Sequence, residues 1–123
     1  MATTYAYDKS TSSFTAEVTR WFTALAPIVR PLLRQNGGPV LMVQIENEYG
    51  SYEACDHDYN LFLRDEAWRL FGKDTVLYTT DPMTSLPCGA VPGVLATVDF
   101  GVKKHEEIDE IFAAQMKHMG GAK

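Results

Sequence analysis

Three short β-prone runs, "PVLMVQIENE", "DTVLYTTD" and "VLATVDFG", alternate with amphipathic stretches along the chain, and each run finishes on acidic residues. Runs of seven or eight aliphatic and β-branched residues are too short for ordinary helices. Strands that alternate with helices favour parallel β/α units, with the helices covering the sheet. The chain is therefore expected to be α/β.

The helical stretches have their own signals. After "STSS", a good N-cap cluster, Phe14, Val18, Trp21, Phe22, Leu25, Val29, Leu32 and Leu33 form a stripe at helical spacing. Pro27 and Pro31 interrupt it, which predicts a kink or two shorter helices ending at "NGG". Val40 to Glu46 reads as a strand. A second helix is expected from Asp56 or Asp58, with Tyr59, Phe62, Leu63, Ala67, Leu70 and Phe71 on its buried face and Gly72 as its stop. The second strand follows, then a loop containing Pro82, Pro87, Gly89, Pro92 and Gly93, then the third strand. The last helix, roughly Glu106 to Met119, has acids at its start and Lys117 and His118 at its end, as the helix dipole favours. Its expected buried stripe is Ile108, Ile111, Phe112, Met116 and Met119. Three strands make a poor sheet, because each edge needs a partner. With no linker or internal repeat in view, the chain reads as the middle of something larger.

Composition bounds the function. The 123 residues are 46% hydrophobic and 22% charged, ordinary for one globular domain, and the net charge of -5 argues against a general nucleic-acid or anionic-membrane surface. No stretch approaches the ~18 apolar residues of a membrane-spanning helix, and "MATTYAYDKS" lacks the apolar core of a signal peptide. Asn36, Asn47 and Asn60 stand in no glycosylation motif. Cys55 and Cys88, 33 residues apart, match no metal-ligand spacing. They are buried thiols or one disulfide, and composition favours thiols. His57, His105 and His118 read as surface or helix-end residues. Trp21 and Trp68 fall on helices, where packing is the expected role.

The strand ends carry Glu46 and Glu48, Asp81, and Asp99. In parallel β/α folds the ligand sits at the carboxyl ends of the strands. Asp81 or Asp99 taken singly also suits the plainer role of a helix cap or a solvated acid. Strict alternation puts Met42, Gln44, Glu46 and Glu48 on one side of the first strand and Leu41, Val43 and Ile45 on the other. Asn47 then points away, unless a bulge turns it inward. Carboxyl groups sharing a pocket raise one another's pKa, and a carboxyl still protonated at neutral pH can protonate a leaving oxygen. That is the chemistry of glycoside cleavage, with one carboxylic acid and one carboxylate across the bond. A carboxylate site for Mg or Ca, with Asp81 or Asp99 joining Glu46, is the alternative.

The longer stretch "QNGGPVLMVQIENEYGSYEACDHDY" closely resembles the acid/base segment of glycoside hydrolase family 35, the β-galactosidases, whose usual form is GGPI-x-x-x-QVENEYGSY. The resemblance extends through "LYTTD", "CGA" and "TVDFG" and back through "RWFTALAPIVRPLLRQNGG". It implies a (β/α)8 TIM barrel, here partial, from about the third helix through the sixth helix, with residues 1–12 an N-terminal loop and 13–123 catalytic-barrel structure. It implies retaining hydrolysis of terminal β-galactose with no cofactor. Glu48 matches the acid/base, and Asn47 the residue that hydrogen-bonds the sugar's 2-hydroxyl. Gln44, Glu46 and Tyr49 fall inside the motif as supporting residues. Cys55 and Cys88 match a disulfide of lysosomal members, which implies an extracellular, lysosomal or vacuolar setting.

Two departures stand out. The family's nucleophile is a glutamate on the seventh strand, in a motif like SEFY-x-GW, and "MKHMGGAK" stops before it. The isolated chain is thus expected to be inactive, unless another chain supplies the missing strands; a non-catalytic sugar-binding or interaction module is the rival reading. "TTDP" replaces the glycine that usually follows the aspartate, leaving the role of Asp81 open.

Overall fold

The computed structural model describes residues 12–119. The expected N-terminal loop over residues 1–12 lies, apart from Ser12, outside the described residues. The helix α1 (Ser12–Val29) carries Pro27 in its last turn and stops two residues later. A 3-10 turn, Arg30–Leu32, takes Pro31 in its first turn, where a missing N–H costs no hydrogen bond. Gly37, at φ 88°, then closes a second 3-10 turn over Arg34–Asn36. The two prolines thus shorten the helix and tighten its exit, as the sequence suggests.

The strand β1 (Met42–Asn47) follows an isolated parallel bridge between Leu33 and Val40. The helix α2 (His57–Phe71) is capped by Asp56, whose carboxylate accepts the Tyr59 N–H at 3.0 Å, and it ends at Gly72, φ 103°. Then come β2 (Val76–Asp81), the four-residue helix α3 (Leu86–Gly89), β3 (Leu95–Val98) and α4 (His105–His118). The sheet order is β1-β2-β3, and both pairings are parallel. The alternation is stricter than expected, because the stretch read as a loop between the last two strands contains α3.

One sheet face packs under helices. Leu77, Thr79 and Asp81 of β2 are buried on it, as is Ala96 of β3. The core joins Ile45, Leu33 and Leu77 to Leu63, Ala67 and Phe71 of α2, and Phe22 of α1 meets the Phe71 ring at 6.1 Å. Fully burying a Leu or Phe contributes roughly 1.5–3 kcal/mol each, so these contacts fix the layer. Trp68 is half-buried, its indole N–H donating to the Thr75 carbonyl at 3.1 Å and its ring lying under Arg64, which is a packing role.

Four expected core positions are corrected. Trp21 is 63% exposed, Leu32 is exposed, and on α4 only Ile111 of the expected stripe is fully buried, with Phe112 and Met116 exposed. Each apolar stripe is wider than the one sheet face and single neighbouring helix that cover it among the described residues. No helix among them is long and apolar enough to cross a membrane.

Candidate active site

The end of β1 does not keep strict alternation. Its register against β2 runs Gln44 to Tyr78 and then Glu46 to Thr79, so Ile45 is an extra residue, a β-bulge. Residues paired side by side in a parallel sheet share a face. Glu46 therefore sides with Thr79 toward the helix layer, while Asn47 sides with Thr80 on the open face. The grouping of Gln44, Glu46 and Glu48 on one side is overturned for Glu46, and the exception reserved for Asn47 is what occurs.

Side chains lock the bulge. Gln44 Nε2 donates to the Glu46 carbonyl at 3.1 Å and to Asn47 Oδ1 at 3.0 Å. With its oxygen taken, Asn47 presents its Nδ2 donors on the open face. Glu46 accepts the Asn47 backbone N–H at 3.2 Å and is hydrogen-bonded to the hydroxyl of Tyr59, whose pKa is raised by burial and by that carboxylate. Tyr49 is buried, its ring tilted against those of Tyr59 and Tyr52 with centroids 5.3 Å and 5.6 Å away. Its hydroxyl is pushed up to about 12, first by burial and then by the charge of Asp56. Gln44 and Glu46 thus hydrogen-bond the bulged strand end, and Tyr49 packs against Tyr52 and Tyr59.

Glu48 leaves the strand in the left-handed region, φ 53°, ψ 25°. This conformation is uncommon for a residue with a long side chain and recurs at functional sites. The backbone still continues the ladder, since the Glu48 N–H donates to the Thr80 carbonyl at 2.7 Å. The turn swings the side chain into solvent, where its carboxyl meets that of Asp99, the residue just after β3. The pKa of Glu48 is raised, first by the hydrogen bond with Asp99 and then by the Asp99 charge. Two carboxyl groups in contact share a proton more readily than they both ionise.

Asp81 ends β2 beneath this pair, 1% exposed. Its Oδ1 accepts the Gly50 N–H at 2.7 Å, while its Oδ2 has no hydrogen-bond partner among the described residues. Burial pushes its carboxyl up to about 6, the Gly50 hydrogen bond opposes the rise, and the charges of Asp99, Glu46 and Glu48 add to it. On the open face beside it, the Thr80 and Thr97 hydroxyls hydrogen-bond each other, and Thr97 donates to the Thr79 carbonyl at 2.7 Å.

A disulfide joins Cys55, in the loop before α2, to Cys88 in α3, with the Cα atoms 5.4 Å apart. It settles the choice left open by composition against free thiols. Asn60 Nδ2 reaches the Cys88 carbonyl at 3.2 Å, and Ser51 and Ser85 hydroxyls pair at 3.1 Å, so two loops are tied above β2. Cys55, His57 and Cys88 bring three potential metal ligands within 4.8 Å, but the two sulfurs are bonded to each other rather than thiolates. Glu46, the pivot of the proposed carboxylate metal set, is turned to the helix layer by the bulge.

Sequence reasoning brought Glu48 and Asn47 to the strand end and flagged Asp81 and Asp99 without roles. It missed the contact between Glu48 and Asp99, the grip of Tyr59 on Glu46, and the Gly50 bond to Asp81. The signal for these was the acid closing each neighbouring strand.

A family model described as glycosyl hydrolases family 35 matches residues 2–121. Over 110 residues the chain is 48% identical to "Beta-galactosidase" of Homo sapiens and 44% identical to that of Mus musculus. Both alignments cover 88% of this chain, but only 16% and 17% of those proteins. It is also 42% identical over 92 residues to "Beta-galactosidase-1-like protein" of Mus musculus, covering 75% of this chain and 14% of that protein.

Proposed function

The chain belongs to glycosyl hydrolase family 35, and from that membership we propose that it supplies the acid/base half of a retaining β-galactosidase-like site. The three parallel strands and their helices are then one arc of a TIM barrel, with the site at the carboxyl ends of the strands. The observation that carries the reading is the Glu48 carboxyl, lifted out of β1 by a left-handed turn, with its pKa raised by the hydrogen bond and the charge of Asp99.

The chemistry follows from those positions. In the first step the protonated Glu48 gives its proton to the glycosidic oxygen as the bond to the sugar's anomeric carbon breaks. That carbon bonds to the nucleophile carboxylate as the leaving group departs, and in the second step water attacks it, the bond to the nucleophile breaks, and the Glu48 carboxylate takes the water's proton. Asn47, with its oxygen engaged by Gln44, offers its amino group to the 2-hydroxyl, an interaction that strengthens as the ring approaches an oxocarbenium ion. No step calls for a metal or cofactor. The substrate class is a terminal β-galactoside, and the disulfide suits an oxidising compartment such as the lysosome, vacuole or cell exterior.

Asp99 is too close to Glu48 to act as the nucleophile. Retaining enzymes hold their two carboxyl groups roughly 5–5.5 Å apart, across the scissile bond, whereas these two are in hydrogen-bond contact. The nucleophile is therefore assigned to a strand beyond the described residues, supplied by further sequence or by an associating chain.

Hydrolysis of nitrophenyl β-galactoside by the purified chain, beside Glu48→Gln, tests this division. No turnover in either is expected, and galactose binding without turnover agrees with it. Turnover that vanishes in Glu48→Gln means that this sequence supplies a working nucleophile, from the same chain or a second copy, and overturns the assignment.

A further inference from the structure

Asp81 makes no contact with the open face where a sugar is expected, yet it is the most enclosed carboxyl at the strand ends. Its surroundings are specific. Gly50, two residues after Glu48, gives it a backbone N–H at 2.7 Å. A methyl group at Gly89 would overlap its carboxylate, and one at Gly50 would overlap the Ser85 carbonyl and stand 2.7 Å from Oδ1. Two residues without side chains thus form a cradle closed around one carboxyl group. The disulfide between Cys55 and Cys88 ties together the two loops that form it. An ordinary helix cap explains none of this, because Asp81 caps neither α3 nor the 3-10 turn at Met83–Ser85.

We propose that Asp81 is a positioning residue for Glu48: by accepting the Gly50 N–H it clamps the left-handed turn and holds the Glu48 carboxyl against Asp99. The inference rests on the reading of Glu48 as acid/base but acts one step behind it, through the backbone. A left-handed conformation at a glutamate is unfavourable and persists only where neighbours over-determine it. On its N-terminal side Glu48 is held by the ladder bond to Thr80. On its C-terminal side the Ser51 N–H returns to the Glu48 carbonyl at 3.0 Å, and the bond from Gly50 to Asp81 anchors that loop to the sheet. Release of the anchor frees the turn to relax toward the ordinary β or right-handed regions, which moves the carboxyl away from Asp99.

Charges around Asp81 come from each flanking element: Glu46 on β1, Glu48 in the turn, and Asp99 after β3. All three disfavour its ionisation, as does burial. The unpartnered Oδ2 is the atom free to carry the proton, leaving Oδ1 to keep the Gly50 bond.

Carboxyl-carbon and amide NMR titrations of the 123-residue chain test the clamp, comparing the unaltered protein with Asp81→Ala and Asp81→Asn. In the unaltered chain the Gly50 amide is expected to shift with a midpoint near 6, that of Asp81, and Glu48 to titrate above the ordinary 4.5. Both variants remove the same charge, but only Asp81→Asn keeps an oxygen for Gly50. Asp81→Ala should therefore return Glu48 toward 4.5 and expose the Gly50 amide to rapid exchange. Asp81→Asn should keep Glu48 raised and Gly50 protected while abolishing the shift near 6. Equal Glu48 titration in the two variants, whether raised or normal, overturns the clamp. If Asp81→Ala does not fold, Asp81→Asn decides: a folded Asn variant with Glu48 at its ordinary value refutes the proposal. Failure of the acid/base reading would show elsewhere, as full activity of Glu48→Gln in a completed barrel, and would leave these titrations unchanged.

Discussion

Opening the disulfide is the perturbation whose size the structure sets most directly. Cys55 and Cys88 close a loop of 33 residues, and the loss of chain entropy in the unfolded state for a loop of that length is worth about 3 to 4 kcal/mol. The double variant Cys55→Ala, Cys88→Ala keeps a side chain at Cys55, whose φ is 46°, so backbone strain is the same before and after. The change then reports the cross-link. With a urea dependence of ~1–3 kcal/mol/M, the midpoint of unfolding should fall by roughly 1–4 M. Trp68 gives the signal, because it is half-buried with its indole bonded to Thr75, whereas Trp21 is exposed in the folded state already. Reduction of the unaltered chain by excess dithiol should reproduce the variant's midpoint. A midpoint lowered by less than about 0.3 M in both samples would refute the entropic reasoning.

Other consequences are local to the strand ends. Asp99→Asn removes the carboxylate partner and its charge, so Glu48 should titrate nearer its ordinary 4.5; an unchanged NMR titration would sever the pair. Asp81, raised to about 6 from 3.8, binds its proton more tightly in the folded chain. Its contribution to stability is therefore present at low pH and lost as pH rises from about 3.8 to 6, amounting to about 3 kcal/mol. Asp81→Asn should flatten that interval of the urea-stability curve, and a curve with the same slope in both proteins would contradict the assignment. Gly89→Ala forces a methyl group onto the buried carboxylate and should cost roughly 1–3 kcal/mol, lowering the thermal midpoint by about 5–15 °C. Gly101→Ala, which meets nothing within 4 Å, should stay within about 0.5 kcal/mol; equal losses in the two would refute the cradle.

The strands and long helices were legible because they follow local rules: period and β-branching for β1, β2 and β3, Asp56 and Gly72 for the ends of α2. The four-residue α3 was not, since "LPCG" is held by the disulfide and the packing of Leu86 rather than by helical periodicity. Exposure of Trp21, Phe112 and Met116 was hidden for a related reason, because an apolar stripe records a face suited to burial without naming what covers it. At the site, the acids at the strand ends were visible, but their sides were not. One extra residue at Ile45 exchanges the faces of Glu46 and Asn47, and no local propensity announces that bulge. The raised pKa of Glu48 depends on a contact with Asp99 across 51 positions of sequence, which only the parallel sheet brings together.

The role of Glu48 is tested most directly by the leaving-group dependence of Glu48→Gln in a polypeptide that joins this segment to the strands proposed to complete a barrel. A general acid contributes typically ~100 to 10,000-fold, and it matters least when the leaving group departs without a proton. Bond cleavage in alkyl β-galactosides should therefore slow by about that factor, while the first turnover of dinitrophenyl β-galactoside stays within about tenfold of the unaltered enzyme. Azide, which needs no base to attack, should restore the second step and yield β-galactosyl azide. Equal losses on both substrates, or no loss on either, would contradict Glu48 as the acid/base.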